Sequence, residues 1–149
     1  MSKTEVVIRQ ALTEDVPQLL NLYAQLNPED KPVDAIRAAV VWEKAINSGV
    51  AYFVADICGS IVGTCYIAII PNLTRSCSSI GLIENVVTDA DHRRKGIGRL
   101  LLCAAVDYAK KQGCYKVILQ SGKKRESAHK FYESVGFNSD SKRAFEIRL

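Results

Sequence analysis

The chain has 149 residues, 48% hydrophobic and 24% charged, with a formal net charge of +4. That length suggests a single domain, residues 1–149, with a real hydrophobic core, and the proportions are ordinary for a globular protein. A membrane-spanning protein is excluded, because no apolar run approaches bilayer length, and Met1-Ser2-Lys3-Thr4-Glu5 lacks the apolar centre of a secretory signal.

Val6-Val7-Ile8 reads as a short β segment. Thr13 suits an N-cap, and Val16, Leu19, Leu20, Tyr23 and Leu26 recur at helical spacing until Asn27-Pro28 stops them. A second helix is expected over about 33–47, ended by Ser48-Gly49. Residues 51–57 and 61–70 read as the two strands of a hairpin turned by Cys58-Gly59-Ser60. A polar loop, 71–78, leads into a strand over 80–87. Ile97, Leu100, Leu101, Ala104, Ala105 and Tyr108 mark one face of a helix closed by Gly113. A strand over 115–120, a helix over 126–135 ended by Gly136, and final strands at Phe137 and over 144–149 complete the reading. The order βααβββαβαββ predicts a mixed α/β fold, a central sheet flanked by helices.

Charge is unevenly spread. Residues 1–57 carry a net −3 and residues 58–149 a net +7. A basic C-terminal part fits an anionic cofactor, and an acidic N-terminal part fits a cationic acceptor. The five cysteines (58, 65, 77, 103 and 114) include no Cys-x-x-Cys pair. They read as reduced core thiols in the cytoplasm, and no metal site is expected.

The stretch from Ile83 to Leu101 is the most informative. An apolar strand runs into a polar loop, then into Arg93-Arg94-Lys95-Gly96-Ile97-Gly98-Arg99, which opens a helix. Gly96 and Gly98 permit positive φ and close approach of a ligand. The first helical N–H groups lack intrahelical partners, and the helix dipole and four cations add positive charge. The turn therefore suits a pyrophosphate. It is not a dinucleotide fingerprint, because Leu101 stands where a third Gly or Ala is needed. It is not a P-loop, because a single residue separates the glycines. A nucleic-acid contact would want interleaved aromatics, and residues 92–99 hold none, so no nucleic-acid partner is expected.

Arg93-x-x-Gly96-x-Gly98 matches the Q/R-x-x-G-x-G/A signature of the GNAT N-acetyltransferase superfamily. Ala128-His129-Lys130-Phe131-Tyr132-Glu133-Ser134-Val135-Gly136-Phe137 matches that family's A-x-x-F-Y-E-x-x-G-F segment. With the element order, the chain resembles the family over essentially its whole length. The resemblance implies a mostly antiparallel sheet that splays between its fourth and fifth strands, and an enzyme that moves acetyl from acetyl-CoA to an amine. It implies that Val86, Val87 and Thr88 meet the pantetheine arm, that Arg93, Arg94, Lys95, Gly96, Ile97, Gly98 and Arg99 wrap the pyrophosphate, and that Ser127, Lys130 and Phe131 line the cofactor's far end. Arg125 departs from the pattern, since the family often has Asn there; Lys123, Lys124 and Arg125 would instead meet the 3′-phosphate, or form a solvated loop. His92 stands where an aromatic is common.

Most amines are protonated at neutral pH, so attack on a thioester needs a base. Glu84 is the candidate, because it comes from the strand that holds the thioester, and an acid amid apolar strand residues is costly unless paired. An orienting role, or pairing with Arg75, is the alternative. Tyr132 is by resemblance the general acid toward the CoA sulfur. A backbone N–H near Val86 would polarise the thioester carbonyl. The resemblance places the acceptor site among residues 23–34, Trp42 and residues 71–78, with Asn72, Thr74 and Arg75 suited to polar groups and Asp30 and Asp34 to a cation. A small amine, amino-sugar-like or otherwise, is the expected acceptor. A protein or peptide acceptor and a non-catalytic CoA sensor stay open, as does a homodimer formed through the C-terminal strand.

Overall fold

The computed structural model describes residues 5–149. Five strands, β1 (Val7–Gln10), β2 (Val50–Ile57), β3 (Ser60–Ile70), β4 (Ser79–Thr88) and β5 (Cys114–Leu119), form one sheet in sequence order. The helices are α1 (Val16–Leu26), α2 (Ala35–Asn47), the single turn α3 (Thr74–Cys77), α4 (Ile97–Lys111) and α5 (Glu126–Val135).

Neighbours β1 to β4 run antiparallel. The β2–β3 hairpin closes through Cys58 and Gly59, both at positive φ (51° and 89°), the backbone that a two-residue turn between twisted strands requires. β4 and β5 are parallel, so the chain needs a crossover between them, and α4 supplies it. Alternation along the strands puts Phe53, Ala55, Cys65, Ile67 and Ile83 against the buried face of α4, with Leu101, Leu102 and Ala105 fully buried. On the opposite face Val54, Ile61 and Val87 pack under Leu19 and Leu22 of α1 and Trp42 of α2. Burying each large side chain contributes about 1.5–3 kcal/mol, so the two apolar layers clamp the sheet.

Several expectations are corrected. No strand forms beyond Leu119: Phe137 packs edge-on against Tyr132, with ring centroids 6.4 Å apart, and residues 138–149 are exposed throughout. Alternating side chains mark a strand's faces, but a strand also needs an edge to pair its N–H and C=O groups. Thr13 does not cap α1; it lies in a 3₁₀ turn, and its hydroxyl is 3.3 Å from the Trp42 indole N–H. Asp34 is the N-cap of α2, with Oδ1 accepting from the Arg37 N–H at 2.8 Å, and its carboxylate stays exposed. All five cysteines are free, but of these only Cys65 is buried, and Cys58, Cys77 and Cys103 are exposed. No helix among the described residues is long and apolar enough to cross a membrane.

Candidate active site

β4 and β5 part company halfway along. Their pairing runs from Ser79 with Cys114 to Ile83 with Leu119, whereas β4 continues to Thr88. The side of β4 away from β3 is therefore unpaired by any strand past Ile83, leaving a row of peptide groups for an extended ligand to pair with.

A bulge sits in the same stretch. Thr64 pairs with Val87 and Tyr66 with Glu84, so Cys65 alone faces both Asn85 and Val86. Asn85 takes the left-handed conformation (φ 53°) that this insertion demands, and Asn tolerates it better than most residues. The extra residue resets the alternation. Glu84 lies on the α1/α2 face opposite Tyr66, Val86 turns toward the α4 layer, and Val87 returns to the α1/α2 layer. Without the bulge, Glu84 and Val87 would face opposite sides.

At the end of β4 the chain enters the basic turn. Arg94 (φ 60°) and Gly96 (φ 80°, ψ 4°) are both left-handed, and α4 begins at Ile97 with no side-chain cap. A Cβ on Gly96 would meet nothing within 4 Å, so its backbone conformation is the whole demand on that residue. Gly98 does not use the positive φ open to it. It is helical, and a Cβ there would lie 3.1 Å from Phe131 Cζ, so its small size lets α5 close on α4.

The cations of the turn are partly engaged. Arg93 Nε donates to the Thr88 carbonyl (3.3 Å) and Lys95 Nζ to the Asp91 carbonyl (3.0 Å). Arg99 reaches α5, donating to Ser134 Oγ (2.9 Å) and the Ser134 carbonyl (3.3 Å). Arg94 makes no hydrogen bond or ion pair among the described residues. Ser127 and Lys130 are exposed on α5, and Phe131 is half-buried beside Tyr132 (5.4 Å).

Tyr132 is buried at 9% exposure. Burial raises its phenol pKa; Arg125 opposes the shift, while Cys65 and Glu84 reinforce it. The phenol is protonated at neutral pH, and the shift holds it so to higher pH.

Three features were not read from the sequence. Ser121 follows β5 with its hydroxyl buried and without a hydrogen-bond partner; continuing the parallel register past Leu119 sets it across the split from Asn85. The loop before the basic turn is tied to α1. Gln25 Nε2 donates to Asp89 Oδ1 (2.8 Å), Gln25 Oε1 accepts from the Ala90 N–H (3.1 Å), and His92 Nδ1 lies 2.8 Å from Asp89 Oδ2. These bonds, Gln25 first and His92 second, hold the Asp89 carboxyl below its ordinary pKa. Third, Tyr66 lies beside Glu84 on its own face, and Tyr52 lies beyond Tyr66.

Asn72, Thr74 and Arg75, expected at the acceptor site, have local partners. Asn72 Nδ2 stitches that loop to Thr74 and the Ser78 carbonyl, and Arg75 sits 5.7 Å over the Tyr115 ring rather than with Glu84. Among the described residues no cluster of three His, Cys, Asp or Glu side chains is placed to hold a metal ion.

The site fits acetyl-CoA. The free edge of β4, the orphan Ser121 hydroxyl and the uncapped start of α4 offer polar partners in a line, and the last suits a pyrophosphate. The profile of the acetyltransferase (GNAT) family matches residues 16–137. Glucosamine 6-phosphate N-acetyltransferase of Trypanosoma brucei brucei is 31% identical over 137 residues, 91% of this chain and 90% of that protein. A putative acetyltransferase from Agrobacterium tumefaciens superimposes with a TM-score of 0.91 at 39% identity, covering 96% of this chain and 99% of that one. Glucosamine-6-phosphate N-acetyltransferase from Arabidopsis thaliana does so with a TM-score of 0.82 at 26% identity, covering 96% and 98%. Family profile, relatives and split sheet agree: the chain belongs to the GNAT family and is an acetyl-CoA-dependent N-acetyltransferase.

Proposed function

We propose that this enzyme transfers acetyl to the primary amine of a small amino-sugar-like acceptor, glucosamine 6-phosphate being the first to test, by direct attack in a ternary complex. What supports this chemistry is that Glu84 lies on the α1/α2 face of β4 just past the end of its pairing with β5, while Tyr132 is buried in the layer on the opposite face. The acceptor class is carried over from the Trypanosoma relative, matched over nine tenths of both chains.

Acetyl-CoA supplies the thioester whose C–S bond breaks as the acceptor's C–N bond forms. Glu84 takes the proton that the amine must lose. Tyr132, held in its phenol form by burial, donates to the departing sulfur. The bulge at Asn85–Val86 frees a backbone N–H to polarise the carbonyl. Val86, Val87 and Thr88 run beside the pantetheine arm. Arg93, Arg94, Lys95, Gly96, Ile97, Gly98 and Arg99 surround the pyrophosphate. Arg94 is the strongest charge contact, because the other three basic side chains already hold local partners. Ser127, Lys130 and Phe131 border the cofactor's adenosine end.

Five free cysteines suit the cytoplasm. Exposed Ile36, Val40 and Val41 on α2, and Phe145, Ile147 and Leu149 in the tail, leave apolar surface for a second copy to cover in a homodimer.

The experiment is CoA release from acetyl-CoA with glucosamine 6-phosphate, other amino sugars, amino acids, polyamines and short peptides. Turnover with amino-sugar phosphates at least tenfold above the other classes supports the reading. Preference for a peptide overturns the acceptor class, and tight acetyl-CoA binding with no turnover favours a sensor.

A further inference from the structure

Of the chain's one tryptophan and six tyrosines, four of these rings gather on the α1/α2 face of the sheet: Trp42, Tyr23, Tyr52 and Tyr66. They are ordered by strand register. Trp42 is anchored through its indole N–H to Thr13 and stacks tilted on Tyr52, with centroids 4.9 Å apart. Tyr52 pairs across β2–β3 with Tyr66, at 5.2 Å. Tyr66 pairs across β3–β4 with Glu84. The last two steps join directly opposed strand residues, so the row ends at the carboxylate assigned as base.

Trp42 is core, at 8% exposure, but Tyr52, Tyr66 and Glu84 are only half-buried. A row wanted solely for packing would be covered. The Tyr52 and Tyr66 phenols are neutral at physiological pH, and burial raises their pKa further, so their rings present uncharged π surface. Tyr23 reaches the row from α1. An electron-rich row ending in a carboxylate is a track for a cation, which aromatic faces attract and a carboxylate receives.

We infer that Tyr52 and Tyr66 are specificity-determining residues that bind the acceptor in its ammonium form and deliver it to Glu84. The inference rests on the acetyl-transfer reading with Glu84 as base, and it names what the site recognises: a compact saturated frame bearing a positively charged primary amine. On reaching Glu84 the ammonium loses one proton to the carboxylate and becomes the nucleophile. A neutral acceptor of the same shape gains nothing from the row.

The test uses tetramethylammonium, which carries the charge but can be neither deprotonated nor acetylated, and tert-butanol, a neutral compound of similar size. The only tryptophan in the chain lies in the row, so its emission reports binding without turnover. Tetramethylammonium is expected to change Trp42 emission saturably and to compete with the acceptor amine, whereas tert-butanol does neither. Tyr66→Leu and Tyr52→Leu should each raise the acceptor KM about tenfold, with the acetyl-CoA KM unchanged. Tyr66→Phe should restore it, and Tyr115→Leu, outside the row, should have no effect. Equal responses to the two probes, or an unchanged acceptor KM in both leucine variants, would overturn the inference even if amino sugars are acetylated. If another amine proves to be the acceptor, saturable tetramethylammonium binding still upholds it while the amino-sugar reading fails.

Discussion

Gly98 and Phe131 join α4 to α5 at the cofactor turn. The glycine leaves so little room that a Cβ would sit 3.1 Å from Phe131 Cζ and 3.9 Å from Thr88 Oγ1. Strand end, helix start and α5 therefore converge on one atom-sized gap. Gly98→Ala should cost up to about 2 kcal/mol, because overpacking of about 1–3 kcal/mol is offset by the roughly 1 kcal/mol that alanine gains over glycine in a helix, and should weaken acetyl-CoA binding because Phe131 must shift. Pairing it with Phe131→Leu should recover most of the lost thermal stability. Denaturation of the two single variants and the double variant checks this; strictly additive losses would contradict the contact.

Gly96 poses a different demand. Its φ of 80° is left-handed and its surroundings are open, so a substitution is judged by backbone alone. Gly96→Val should cost more than Gly96→Asn, whose side chain tolerates this region, by about 1 kcal/mol. Chemical denaturation of the two variants measures the difference.

The loop before the turn is held from a distance. Gln25→Ala removes both hydrogen bonds from α1, to Asp89 and to the Ala90 N–H. The acetyl-CoA KM should rise several-fold, about the worth of one or two net hydrogen bonds, with kcat little changed. A fall in kcat at constant KM would show that α1 acts on the chemistry rather than on the loop.

Acid stability should depend on Asp15. Arg9 donates to both its oxygens at 2.7 and 3.0 Å, and the Leu12 N–H adds a third bond. The Arg9 hydrogen bond, opposed by burial, holds the Asp15 pKa below the ordinary carboxylate value. The unfolded chain thus takes up the proton first as pH falls, so this contribution is present above about pH 4 and is lost below it. Asp15→Asn should destabilise the fold by about 1–2 kcal/mol at neutral pH, because Arg9 loses one carboxylate but keeps Asp56, and should flatten the acid limb of stability against pH. Urea titrations between pH 2 and 7 measure both effects.

The strands and main helices up to Val135 were legible because their alternation and 3.6-residue periods are local properties. The basic turn was legible because its glycines and cations are contiguous. What escaped depends on register. Ile83-Glu84-Asn85-Val86-Val87 reads as ordinary strand, and only the pairing of Thr64 with Val87 and Tyr66 with Glu84 exposes the bulge. The row of Trp42, Tyr52 and Tyr66 is spread over three elements and becomes a row only when the strands are set side by side. The segment 144–149 misled for the converse reason: its alternation is local, but the partner edge it needs is not.

The most direct test of the account is the pH dependence of kcat/KM for acetyl transfer in the wild type and in Glu84→Gln. If Glu84 is the base, the variant should lose about 100-fold or more near neutral pH, and should regain rate as pH rises toward the amine's own pKa, where solution supplies the free amine. A variant with wild-type rates and an unchanged pH profile would contradict the assignment of Glu84 at the split of the sheet.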